Sequence, residues 1–210
     1  MLPEARLSTF PMSHYCEKAR WALERLNIPY IEERHAPLFH LMATRRVGGS
    51  SVPILISDGK VFTDSTEILK YLDTIGLDDA RLYPSDPQLL KQVEALETLF
   101  NAKLGTSTRI WAYSYTLYTP QLAKQRFTNG VPFYEKVLFP AIFPLVSSKI
   151  RQKLHITPET ATAAYAQIIH IFERVGDLLK DGRSYLVGDH FSAADLTFAA
   201  LSVAAIRPPE

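Results

Sequence analysis

Between residues 5 and 76 the apolar positions switch from strand-like alternation to helical spacing and back, whereas beyond residue 87 they keep a helical period. That change restricts the chain to a small α/β unit followed by an all-helical one. Ala5 to Phe10 is a strand-compatible run closed by Pro11. Ser13 then occupies an N-cap position, and Tyr15, Ala19, Ala22, Leu23 and Leu26 recur at helical spacing with Glu17, Arg20 and Glu24 on the opposite, polar face. Pro29 ends that helix, and Tyr30 to Glu33 can form a second strand. A short helical or irregular stretch, Leu38 to Arg46, leads into the Gly48 to Ser51 loop. Val52 to Ile56 and Lys60 to Phe62 read as a hairpin across Ser57-Asp58-Gly59. Asp64, three residues before Glu67, opens a capping-box-like helix whose buried stripe is Ile68, Leu69, Leu72 and Ile75.

The Asp- and Pro-rich run after Gly76 reads as a linker, which divides the chain into residues 1–76, a connection at 77–87 and a helical unit at 88–210. Leu89, Leu90, Val93, Leu96, Leu99 and Phe100 keep the helical period, as do Ala164, Ile168, Ile171, Phe172, Val175 and Leu179. The fold class expected is α/β plus all-α.

Charge and cysteine content exclude several classes. Lys and Arg number 23 against 22 Asp and Glu, so nothing in the balance draws the chain to nucleic acid or an anionic membrane. One cysteine, Cys16, forbids an internal disulfide and a cysteine-based structural metal site, which suits a reducing compartment; the cytoplasm is the expected location. Met1 to Phe10 lacks the apolar run of a secretory signal, so the mature chain is expected to start there. The run VLFPAIFPLV, Val137 to Val146, is about half the length a bilayer needs and holds two prolines; it reads as a buried contact or an apolar wall. His35 and His40 lack the i, i+4 spacing of a zinc helix, and no metal is expected.

Four motifs then arrive in order: Phe10-Pro11-Met12-Ser13-His14-Tyr15-Cys16 through Leu23, Ser51-Val52-Pro53, Asp64-Ser65, and Gly188-Asp189-His190-Phe191-Ser192-Ala193-Ala194-Asp195. Together they resemble the cytosolic glutathione transferases, proteins with a thioredoxin-like N-terminal domain and an all-helical C-terminal domain. The resemblance spans nearly the whole chain, apart from Trp111 to His155, and relatives usually continue past the position of Glu210. It implies glutathione as co-substrate, a small hydrophobic electrophile as second substrate, and a homodimer.

The resemblance also implies site residues. Ser13 would donate a hydrogen bond to the glutathione sulfur; the alternative is that Ser13 is only an N-cap. Val52-Pro53 resembles the cis-proline turn that pairs with the cysteinyl backbone of the tripeptide, or is simply a proline at a strand start. Asp64 and Ser65 would hold the γ-glutamyl end, or merely cap a helix. Arg45 and Arg46 would meet the glycine carboxylate, or stay solvated. Ser13-His14-Tyr15-Cys16 also maps onto a glutaredoxin motif with its first cysteine replaced, which leaves Cys16 as a rival nucleophile for a thiol reductase, although a packed role suits it better. His14 reads as a solvated loop residue and Tyr15 as core packing. Trp111, Tyr113, Tyr115 and Tyr118 form an aromatic wall for the electrophile or pack internally. Ser192 and Asp195 form a structural cap with Phe191 and Leu196 as its hydrophobic staple. A non-catalytic scaffold that uses the helical unit is the third reading.

Overall fold

The computed structural model describes residues 5–45 and 47–206. Strands β1 (Ala5–Thr9), β2 (Tyr30–Arg34), β3 (Ile54–Ser57) and β4 (Lys60–Phe62) form one sheet in the order β2-β1-β3-β4. β1 and β2 are parallel, which requires a crossover, and α1 (His14–Arg25) supplies it. β3 runs antiparallel to both β1 and β4. At the β3–β4 turn Asp58 and Gly59 both have positive φ, 50° and 70°, as a two-residue type I′ connection demands. β3 begins at Ile54 rather than Val52, because Pro53 has no N–H for the ladder; the Val52–Pro53 peptide bond is cis. Helices α2 (His40–Arg45) and α3 (Ser65–Ile75) complete the unit.

α4 (Pro87–Leu99) opens on Asp86, whose carboxylate accepts the backbone N–H groups of Gln88 and Leu89 at 2.8 and 2.9 Å. It runs through a π-helical turn at Phe100–Leu104 straight into α5 (Gly105–Thr116). Then follow α6 (Pro120–Phe127), α7 (Phe133–Lys153), α8 (Pro158–Leu179) and α9 (Ala193–Ile206). The VLFPAIFPLV run lies inside α7 with both prolines in the helix. Its Phe139, Phe143 and Val146 are buried around Phe127, while Val137, Leu138 and Leu145 are exposed. No described helix is long and apolar enough to cross a membrane.

The apolar core runs without a break from Leu7 and Leu55 of the sheet through Ala19, Leu23, Leu69 and Leu72 to Val93, Phe100, Ile168, Leu196 and Leu201. α1 is therefore shared by both units. Its polar face is only partly open to solvent: Glu24 is exposed, whereas Arg20 is buried. Arg20 is 8% exposed, with Nε donating to Glu32 Oε1 at 2.7 Å and a second pairing to Glu17, because β2 places a carboxylate beneath it. Lys18 is wholly buried, and its ammonium lies 2.7 Å from Glu97 Oε1 on α4. A second joint is Glu135, buried in the first turn of α7, which accepts the Ala36 N–H at 2.7 Å and pairs with His35 Nδ1 at 2.7 Å.

The connection after α3 is stitched down rather than loose. Leu82 is fully buried, its N–H donates to Asp73 Oδ1 at 2.6 Å, and its carbonyl accepts the Ala193 N–H at 2.8 Å. At the start of α9, Asp195 accepts the Ser192 N–H at 2.9 Å, the Ser192 hydroxyl at 2.7 Å and the Leu186 N–H at 2.8 Å. Asp195→Ala leaves those donors without a charged acceptor and is expected to lower the unfolding free energy by about 2 kcal/mol in a urea titration, with Asp195→Asn losing less.

Candidate functional site

The β1–α1 turn closes with the Ser13 N–H donating to the Phe10 carbonyl at 3.0 Å. Ser13 has extended backbone and caps α1: its hydroxyl oxygen accepts the Cys16 N–H at 3.2 Å. That bond uses a lone pair and leaves the hydroxyl its own proton to donate. The first amides of α1 lie at the same end of the helix, so the spot favours negative charge.

A cavity of about 260 Å³ opens beside Ser13. Its walls include Ser51 and Val52 before the cis bond, His40 of α2, Arg109 and Tyr113 of α5, and Lys153 at the end of α7. A second cavity of about 330 Å³, lined by Glu17, Thr116, Arg126 and Asn129 among others, shares Met12, Ser13 and His14 with the first. Ser13 and Val52 are thus brought together. Asp64 and Ser65 do not line either cavity; they sit at the start of α3, where the Asp64 carboxylate accepts the Thr66 and Glu67 N–H groups at 2.8 and 3.2 Å. Only the cap half of a capping box is formed there among the described residues. Lys18 donates to Thr66 Oγ1 at 3.3 Å, which holds the first turn of α3 against α1. Asp64 is exposed and Ser65 is buried. Arg45 is exposed at the end of α2, and Arg46 lies outside the described residues.

Two features correct the sequence reading. His14 is not solvated: it is 6% exposed, on the first turn of α1, with Nε2 2.9 Å from the Gly105 carbonyl. A carbonyl only accepts, so Nε2 carries the proton, and burial lowers the ring's pKa to about 4, leaving it neutral with a bare Nδ1. The aromatic wall is split. Of the four, only Tyr113 lines the Ser13 cavity; Trp111 and Tyr115 of α5, with Tyr118 of the turn after it, line a separate groove with Tyr165 of α8.

The π-helical turn explains both His14 and Tyr15. In that turn the Gly105 N–H reaches back to the Phe100 carbonyl, and the neighbouring Asn101 carbonyl accepts the Tyr15 hydroxyl at 2.7 Å. A Cβ on Gly105 would stand 2.3 Å from the Tyr15 hydroxyl oxygen, so only glycine lets α5 approach this closely. A lone glycine inside a helical pattern was the one sequence signal for this contact.

Cys16 is fully buried, and burial pushes its thiol up to about 11 despite the Ser13 hydrogen bond. At neutral pH it is protonated and inert. Among the described residues no group of His, Cys, Asp or Glu is arranged to hold a metal ion.

Comparison with known proteins bears on the fold and on the N-terminal unit. Residues 7–75 match the family described as the glutathione S-transferase N-terminal domain. A search of curated proteins found no match. Among solved structures, the β-etherase LigF from Sphingobium sp. strain SYK-6 is 21% identical, with 97% of this chain and 84% of that one covered at a TM-score of 0.67. A glutathione S-transferase from Methylobacillus flagellatus KT, with glutathione bound, is 18% identical, with 97% and 84% covered and a TM-score of 0.64. The theta class glutathione S-transferase from Xanthomonas axonopodis pv. citri, also with glutathione bound, is 17% identical, with 100% and 84% covered and a TM-score of 0.64. Residues 7–75 are thus similar to the glutathione S-transferase N-terminal domain, and the chain as a whole shares the two-part fold of these structures.

Proposed function

We propose that the protein is a glutathione transferase in which Ser13 stabilises the thiolate of bound glutathione for attack on a small, largely apolar electrophile. The observation that carries this reading is the Ser13 hydroxyl, whose oxygen accepts the Cys16 N–H and which lines a cavity at the amino end of α1. A thiol loses its proton more readily beside a helix N-terminus and cationic side chains, and Arg109 and Lys153 line the same cavity. In the proposed step the thiolate forms a carbon–sulfur bond, and the displaced group leaves with its bonding pair; in an addition, the π pair of the attacked bond moves into the conjugated acceptor, which then takes a proton from water. Ser13 keeps its own proton and only donates a hydrogen bond. In this reading Val52 and Pro53 pair with the cysteinyl backbone, while the free oxygen of Asp64 and the hydroxyl of Ser65 hold the γ-glutamyl end.

The test is a calorimetric titration with glutathione, together with turnover of a nitro-activated aryl chloride. Binding and turnover are expected in the wild type and in Cys16→Ser alike, since a protonated, buried thiol takes no part. Turnover lost in Cys16→Ser but kept in Ser13→Ala would return the role to Cys16, and no binding at millimolar glutathione would favour a scaffold.

A further inference from the structure

The cavity beside Ser13 is electrically lopsided. Arg109 and Lys153 line it, and no carboxylate among the described residues does. Neither cation forms an ion pair with a described side chain. Two buried nitrogens of the same lining residues, Arg109 Nε and His40 Nδ1, have no hydrogen-bond partner among the described residues. Leaving a guanidinium without an acceptor is costly, so the charge of Arg109 at this cavity favours an anionic partner. The arrangement is also focused. The Arg109 guanidinium lies 5.9 Å from the Tyr15 ring centroid, and its field acts on His14, Tyr15 and Tyr113, while that of Lys153 acts on His40. Around the two cations the helical wall is apolar: Ala112 of α5, Ile150 and Leu154 beside the end of α7, and Ala204 of α9.

We infer that the electrophile is an amphiphile, an apolar body bearing one anionic group such as a carboxylate, with that group held by Arg109 and assisted by Lys153. The inference rests on the transferase reading above. The planar guanidinium offers paired donors matched to a carboxylate, and the apolar residues of α5, α7 and α9 accommodate the rest of the molecule. Glutathione also carries carboxylates, so the anion has two possible sources. The electrophile is favoured because Arg109 and Lys153 belong to the helical unit and stand among its apolar side chains, whereas the peptide-facing residue of this cavity, Val52, belongs to the sheet unit.

The experiment compares a nitro-activated chlorobenzoate with its methyl ester, each rate divided by the uncatalysed reaction with glutathione. The wild type is expected to prefer the carboxylate by about 10- to 100-fold in kcat/KM, the range of one charge-assisted hydrogen bond. Arg109→Met should bring that ratio close to one, chiefly through KM for the carboxylate, and Arg109→Lys should restore part of it. In a second arm, glutathione is replaced by its glycyl ethyl ester. If Arg109→Met abolishes the preference for glutathione over that ester and leaves the electrophile ratio intact, the cations serve the tripeptide and the inference is wrong. A wild type that turns over both electrophiles equally also overturns it while sparing the transferase reading. Absence of both glutathione binding and turnover ends both.

Discussion

Ser13→Ala is expected to lower the turnover of electrophile by roughly 100- to 1,000-fold, the loss seen when one donor to a developing or resting anion is removed from a preorganised site. The argument rests on a single proton. Ser13 Oγ accepts the Cys16 N–H at 3.2 Å, so the oxygen is held by the helix it caps while the hydroxyl keeps a proton to donate. Alanine removes the donor to sulfur and the cap together. The cap alone is worth about 1 kcal/mol of stability, far too little to unfold a domain of this size, so protein and glutathione binding should survive. Ser13→Thr, which keeps a hydroxyl, should recover much of the rate. The measurement is kcat against pH: the limb that reports thiol ionisation should move to higher pH in Ser13→Ala and return in Ser13→Thr.

The second large effect concerns stability. Lys18 and Glu97 are buried to 0% and 2% side-chain exposure at the contact between α1 and α4, with their charges 2.7 Å apart. Glu97 also accepts the Tyr83 hydroxyl at 3.0 Å and the Thr66 hydroxyl at 3.1 Å, and Asn101 donates to Thr66 Oγ1 at 3.0 Å. Burial lowers the affinity of Lys18 for its proton, and Glu97 opposes that fall. Removing one partner strands the other charge in the core, so Lys18→Met or Glu97→Gln alone should cost about 3–5 kcal/mol. The double variant Lys18→Met/Glu97→Leu should cost much less than the sum, since neither charge is then left alone. Urea unfolding of the four proteins measures the coupling; strictly additive losses would mean that the pair does not act as a unit. Because α1 also carries Ser13, the single variants should lose activity only as they unfold.

The positions that the sequence made legible are those governed by local rules. The stripe of α1, the caps at Ser13, Asp64 and Asp195, and the Asp58-Gly59 turn each follow from neighbours within a few residues, and each appears where its pattern placed it. What escaped depends on partners far along the chain. Arg20 and Lys18 look like solvated charges until Glu32 and Glu97 arrive from β2 and α4. His14 looks like a loop residue until the π-helical turn at Phe100–Leu104 brings the Gly105 carbonyl to it, 91 positions away. Arg109 drew no notice in a helical stretch with no family signature, and the lack of a carboxylate among the described residues lining its cavity is something no local pattern can express. The same limit split the aromatic set, for Trp111, Tyr113 and Tyr115 share a helix but not a face of it, and Tyr118 lies in the turn beyond its end.

The central claim is that a sulfur anion sits at the amino end of α1 within reach of the Ser13 hydroxyl. The most direct measurement is the ultraviolet thiolate absorbance of glutathione bound to the wild type and to Ser13→Ala, followed across pH. The bound thiol should ionise one or more units below the ordinary thiol value of about 8.5 in the wild type, and return toward it in Ser13→Ala. Identical titration curves for the two proteins, or a bound thiol that ionises as it does free in water, would contradict the account.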